Sequence, residues 1–148
     1  MEILIKSFDQ LGTQELYDIL ALRSEIFVVE QECAYQDLDY LDQQSTHVLG
    51  TEDGKLIAYT RVVPPGLSYD DCVAIGRVVV DRKHRGHNLG YEIMEVSNKL
   101  AIQTYERSIK ISAQVYAIPF YEKLGYSVVG EEYLEDDIPH TAMILKID

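Results

Sequence analysis

Residues 76–90 read Gly-Arg-Val-Val-Val-Asp-Arg-Lys-His-Arg-Gly-His-Asn-Leu-Gly. A β-branched run, Val78 to Val80, stops at Asp81, and a basic turn leads into a helical pattern after Gly90. Backbone N–H groups at a helix N-terminus have no internal partner and sit at the positive end of the helix dipole. A phosphate or pyrophosphate is their natural guest. Gly86 and Gly90 would let the backbone approach it closely, with Arg85 at the same junction. Neither the P-loop pattern nor Gly-x-Gly-x-x-Gly is present, so any guest is held by another arrangement. Taken alone, the fragment also reads as an ordinary strand-to-helix turn.

A second segment, residues 112–126, reads Ser-Ala-Gln-Val-Tyr-Ala-Ile-Pro-Phe-Tyr-Glu-Lys-Leu-Gly-Tyr. The two segments together resemble the GNAT superfamily of acyl-CoA N-acyltransferases. In that family an Arg/Gln-x-x-Gly-x-Gly/Ala turn cradles the CoA pyrophosphate, and a later Phe-Tyr-x-x-x-Gly-Phe/Tyr segment carries the acid. Two further stretches are similar to the ElaA-like branch: Phe27 to Gln31 through Tyr35-Gln36-Asp37, and Tyr133 to Asp136 through Ile138-Pro139-His140. The resemblance covers nearly the whole chain in the expected order.

The resemblance implies a function and a set of roles. The chain would transfer an acyl group, most simply acetyl from acetyl-CoA, to a primary amine by direct attack in a ternary complex. Arg85, Gly86, His87, Asn88, Leu89, Gly90 and Tyr91 would form the pyrophosphate cradle. The family's middle glycine is replaced by Asn88, and Asn is among the few non-glycine residues that tolerate the left-handed conformation. The backbone of Val78, Val79 and Val80 would hold the pantetheine arm like an added strand, with an N–H polarising the thioester carbonyl. Tyr121 matches the general acid, which protonates the departing thiolate, and Gln114 matches an amide that contacts CoA.

No single residue stands out as the base. Glu30, Asp37, His47, Glu132 and His140 are candidates, of which Glu30 and His140 lie in the most specific segments. Each also reads as an ordinary structural hydrogen-bonding residue. Asp137 stands where the ElaA-like pattern commonly has Gly, which bears on the turn there. The alternative function is a non-catalytic acyl-CoA-binding or sensing module on the same fold, motivated by Asn88 and the absence of an obvious base.

Composition narrows the remaining classes. The chain has 148 residues, 47% of them hydrophobic, which suits one domain over residues 1–148 with one sizeable core. A net charge of −12 argues against nucleic acid and suits a cationic small-molecule or peptide amine. Cys33 and Cys72 form no Cys-x-x-Cys pair and the four histidines are scattered, so no metal is expected. The N-terminal residues show no signal-peptide pattern, and no apolar run is long enough to span a bilayer. The expected location is the cytoplasm, with no membrane partner; homodimers are common for such folds.

The elements that must position these residues follow from periodicity and punctuation. Strands are expected at 2–8, 46–52, 55–63, 72–81 and 108–114, with Asp53-Gly54 joining the second and third. Thr13 can cap a helix over 14–29, a second helix follows Gly90, and a third spans 116–124 before Gly125. Residues 31–45 read as a long loop, a length that usually serves a function. The last strands, near 126–133 and 141–147, are split by Glu135-Asp136-Asp137 and Pro139. This order predicts an α/β sandwich around a mixed sheet, and the GNAT resemblance implies a mostly antiparallel central sheet flanked by helices on both faces.

Overall fold

A computed structural model describes residues 1–147. Seven strands form one sheet in the order β1-β2-β3-β4-β5-β7-β6. They are β1 (Glu2–Ser7), β2 (Thr46–Glu52), β3 (Lys55–Val63), β4 (Val73–Val80), β5 (Ile109–Gln114), β6 (Ser127–Glu135) and β7 (Ile138–Leu145). Every neighbouring pair is antiparallel except β4–β5.

Helices cover both faces. The longest, α2 (Leu89–Tyr105), sets Ile93, Met94 and Ala101 against Val48, Val62, Ile75, Ile111 and Met143. On the other face α1 (Thr13–Ser24) and the turn after it bury Ile19 and Ile26 against Leu49, Tyr59 and Val79. Between these layers β3 is buried without interruption from Ile57 to Val63, as a strand covered on both faces must be. The short α3 (Ile118–Lys123) carries Pro119 in its first turn and is closed by Gly125 at φ +97°.

Four local expectations need correction. Gly12, not Thr13, is the N-cap of α1; the Glu15 carboxylate reaches back to the Gly12 N–H at 2.8 Å. The helix is not α-helical to residue 29: from Glu25 to Glu30 it widens into a π-helix, a form that often marks functional sites. That widening delivers Phe27, Glu30 and Gln31 to the cleft described below. Pro139 does not break the last hairpin, since β6 runs to Glu135 and β7 starts at Ile138. Asp136 and Asp137 both take positive φ (51° and 62°), the two-residue turn that matches strand twist, so Asp137 preserves the turn without glycine. Beside such a turn Glu135 and Ile138 share the hydrogen-bonded rung, so the position of Pro139 points its missing N–H away from β6. On that side β5 has already ended, its last rung being Gln114 with His140, and no bond is lost.

Candidate active site

β4 and β5 run parallel but share only two rungs, Val73 with Ile109 and Ala74 with Lys110. Beyond them the strands separate, leaving the edge of β4 from Ile75 to Val80 without a partner on that side. The gap opens into a cleft of about 920 Å³. Its walls include Val78, Val79, Val80, Arg85, Gly90, Gln114 and Tyr121, together with both favoured base candidates, Glu30 and His140. Residues from four separate stretches of sequence are thus brought to one place.

One end of the cleft is built from backbone. Arg77 interrupts β4 at φ +51°, and the β3 register slips there, from Tyr59 opposite Val79 to Arg61 opposite Gly76. One extra residue sits in β4, a bulge that re-aims the backbone leading to Val78–Val80. A 3-10 turn over Arg82–His84 follows, then Gly86 at φ +87° and Asn88 at φ +60°. Asn88 therefore adopts the left-handed geometry that its replacement of glycine required. It stands at the N-cap of α2, yet its side chain makes no capping bond. The first amide to find an intrahelical partner is that of Glu92, on Asn88 O at 3.0 Å, so the N–H groups of Leu89, Gly90 and Tyr91 stay available. No atom lies within 4 Å of the place a Cβ would take on Gly86, so a guest has open access to that backbone.

Arg85 donates to Val80 O (3.2 Å) and to Glu30 Oε2 (2.8 Å). Glu30 also faces Arg82 Nε at 3.3 Å. The carboxylate of Glu30 is therefore committed to the cations beside the turn. These groups suit a pyrophosphate: free helix amides, an arginine at their side and open space over Gly86.

Tyr121 packs edge-on to Phe120 and Tyr126, with centroids 5.0 and 5.9 Å away. Burial, then the neighbouring Tyr116, raises the pKa of its phenol above the ordinary tyrosine value, which keeps its proton in place near neutrality. Gln114 donates to Gln31 Oε1 at 3.3 Å, tying β5 to the segment after α1.

The other end is built from side chains. Arg23 is fully buried and bonds Asp37 Oδ2 and Asp42 Oδ1, both at 2.7 Å. Arg61, 4% exposed, holds Asp39 at 2.7 Å through each of two nitrogens and Asp42 at 2.9 Å. Arg77 reaches Asp37 Oδ1 at 2.8 Å and the Asp37 carbonyl at 2.8 Å. Three arginines from α1, β3 and β4 thus fasten loop 31–45 to the sheet beneath the cleft. Burial alone would raise the Asp39 carboxyl, but the hydrogen bonds and charge of Arg61 dominate and hold it at about 2. Asp42 is likewise lowered, its burial outweighed by Arg23 and Arg61.

The remaining base candidates separate by position. Asp37 is inside this arginine network, and His47 is fully buried beneath it. His47 Nε2 donates to Asp42 O (2.9 Å) and its Nδ1 accepts from Tyr59 (2.5 Å); burial lowers its pKa and keeps it neutral. Glu132 is exposed on β6 and does not line the cleft. His140 does line it: Nδ1 lies 2.7 Å from Ile138 O and Nε2 lies 3.3 Å from Glu135 Oε2. Among the described residues no group of three or more His, Cys, Asp or Glu is placed to hold a metal ion, and no helix is long and apolar enough to cross a membrane.

A mostly antiparallel sheet wedged open between two parallel strands, with free helix amides at the mouth of the wedge, is the acyl-CoA N-acyltransferase fold. The acetyltransferase (GNAT) domain model matches residues 12–147, and the chain belongs to that family, in its ElaA-like branch. It is 39% identical over 150 residues to a UPF0039 protein of Schizosaccharomyces pombe, covering 99% of this chain and 98% of that one. Protein ElaA of Escherichia coli is 36% identical over 143 residues, 93% of this chain and 92% of ElaA. The crystal structure of ElaA matches with a TM-score of 0.92 at 33% identity, over 99% of this chain and 100% of that one. An acyl-CoA N-acyltransferase from Pseudomonas aeruginosa matches with a TM-score of 0.91 at 39% identity, over 97% of both chains.

Proposed function

We propose that this chain transfers an acetyl group from acetyl-CoA to a primary amine by direct attack, with both substrates bound at once. The observation that carries the reading is the wedge between β4 and β5, whose open strand edge runs from the bulge at Arg77 to the free amides of α2. The backbone of Val78, Val79 and Val80 holds the extended arm of the cofactor, and one of its N–H groups polarises the thioester carbonyl. Gly86 to Tyr91, with Arg85, holds the pyrophosphate, and Gln114 contacts the arm from β5.

Tyr121 protonates the leaving thiolate. Its place in the wall of the cleft supports that assignment, and the phenol carries its proton near neutrality. Of the two candidates for base or acceptor contact, His140 fits the amine end and Glu30 fits beside the pyrophosphate, next to Arg85. The acceptor is a small-molecule or peptide amine, and the net charge of −12 favours a cationic one. The reaction belongs in the cytoplasm, where acetyl-CoA and reduced cysteines coexist.

Thermal unfolding with and without acetyl-CoA tests the reading first. Ligand at a hundred times its dissociation constant adds about 2.7 kcal/mol. An upward shift that Arg85→Ala reduces is expected, followed by thiol release when amines are supplied. A shift with no thiol release across alkylamines, polyamines and peptide amines would instead fit a module that binds acyl-CoA without catalysis.

A further inference from the structure

His140 sits 6% exposed in the wall of the cleft, and its ring has an unusual partner set. A carbonyl oxygen only accepts hydrogen bonds, so the contact to Ile138 O places a proton on Nδ1. In the neutral ring Nε2 then carries a lone pair and no hydrogen. Yet Nε2 faces the Glu135 carboxylate, another acceptor, at 3.3 Å. Two acceptors at that range need a hydrogen between them, either on an imidazolium or from the N–H of a third group.

Neighbouring side chains hold the arrangement in place. The Tyr133 ring stacks on the imidazole, centroids 6.1 Å apart and planes 20° from parallel. The Tyr133 hydroxyl bonds Ser112, and the Ser112 hydroxyl donates to Glu135 Oε2 at 3.4 Å. Three strands therefore meet here: β5 through Ser112, β6 through Tyr133 and Glu135, and β7 through His140. Glu135 has no lysine or arginine partner among the described residues; its one ion-pair contact is His140. Its side chain is 52% exposed and lines the cleft, so a cation entering from solvent meets the carboxylate before the shielded imidazole.

We infer that Glu135 and His140 together dock and deprotonate a primary alkylammonium, the acceptor of the acyl transfer proposed above, on which this inference rests. The carboxylate of Glu135 takes one N–H of the ammonium as a charge-assisted hydrogen bond. His140 Nε2 removes a second proton, leaving a neutral amine with its lone pair free. That nitrogen attacks the thioester carbonyl carbon; the C–N bond forms, the C–S bond breaks, and Tyr121 protonates the sulfur. The nitrogen loses one more proton, which restores the Tyr121 hydroxyl through water. The proton on His140 leaves to solvent past Glu135. One proton is released per turnover, and the amide keeps a single N–H.

Nitrogen NMR of the His140 ring, with benzylammonium chloride as the probe, tests the docking step. A saturable shift of the Nε2 resonance is expected in the unaltered chain, with the affinity falling about tenfold in Glu135→Gln. That variant changes a half-exposed side chain, so the fold is retained. No Nε2 response, or an equal one in Glu135→Gln, overturns the inference.

Turnover tests the deprotonation. With benzylamine, which is protonated at neutral pH, His140→Gln should lose about 100-fold in kcat/KM. With O-benzylhydroxylamine, which is neutral there, the loss should stay below about tenfold. Equal losses with both would leave His140 a merely structural role and sink the proton transfer. An intact NMR response with no thiol release from either amine, or from the polyamines and peptide amines named above, would reject the acyltransferase reading while sustaining the ammonium site.

Discussion

The two ends of the cleft are made of different material. The end proposed for the cofactor is backbone: a bulge at Arg77, a left-handed turn through Gly86 and Asn88, and three free amides of α2. The end proposed for the acceptor is side chain: Arg23, Arg61 and Arg77 fastening loop 31–45, with Glu135 and His140 in the wall of the same cleft. A backbone site serves a constant guest, because its donors survive most substitutions along the chain. Side chains can be exchanged one at a time, which suits an end whose guest is free to change.

Removing Arg23 gives the largest expected break. Arg23→Ala leaves buried Asp42 with Arg61 alone and buried Asp37 with Arg77 alone, and should cost about 3 kcal/mol in urea unfolding. Acetyl-CoA affinity of the folded fraction should hold, since the end proposed for the cofactor uses the backbone of Arg77 and none of the arginine side chains of that network. A parallel collapse of affinity would erase the distinction between the ends.

Tyr121→Phe comes next. Turnover should fall about 100-fold while acetyl-CoA binding, read by thermal shift, stays within about twofold. Equal losses in both would move Tyr121 from chemistry to packing.

Acid then separates the ends by stability. Asp39 is held at about 2 in the folded chain against an ordinary value of 3.8. A lowered carboxyl stabilises the fold above its unfolded pKa, and that contribution drains away as pH falls from about 4 to about 2. It amounts to about 2 kcal/mol. Asp39→Asn should be less stable at neutral pH and flatter through that window in pH-dependent unfolding. An unchanged acid limb would mean that Arg61 does not hold this carboxylate in solution.

The smallest effect falls at the seam. Glu30 competes with any pyrophosphate for Arg85, so Glu30→Gln should tighten acetyl-CoA binding about two- to fivefold in equilibrium titration. A collapse of turnover with unchanged binding would hand Glu30 the role of base.

The same division explains what could be read from the chain. Backbone features have local signatures: Asp53-Gly54 marked the β2–β3 hairpin, Gly125 marked the end of α3, and Arg85 to Gly90 marked the mouth of the wedge. The arginine network has none, because its members come from four separate stretches and meet only in the fold. Arg61 did leave a trace, a charge inside the otherwise uninterrupted strand interior of Ile57–Val63. Arg77 left none, since arginine is no more prone than most residues to the left-handed conformation it adopts. Pro139 misled for a related reason: its cost depends on whether a neighbouring strand is there to need its N–H, and β5 has already stopped.

The wedge also bears on how an open strand edge is kept from pairing with a strand of another chain. An unpaired strand edge is an invitation to aggregate, and proteins usually blunt it with charge, proline or a cover. Here the open edge of β4 faces inward, with β5 closing the gap at Val73 and Ala74. A second chain arriving edge-on would need a whole strand to thread a slot shut at one end, whereas a slender flexible arm can slide in. A liability on the rim of a sheet thus becomes, in its middle, a filter on the width of what may pair with it.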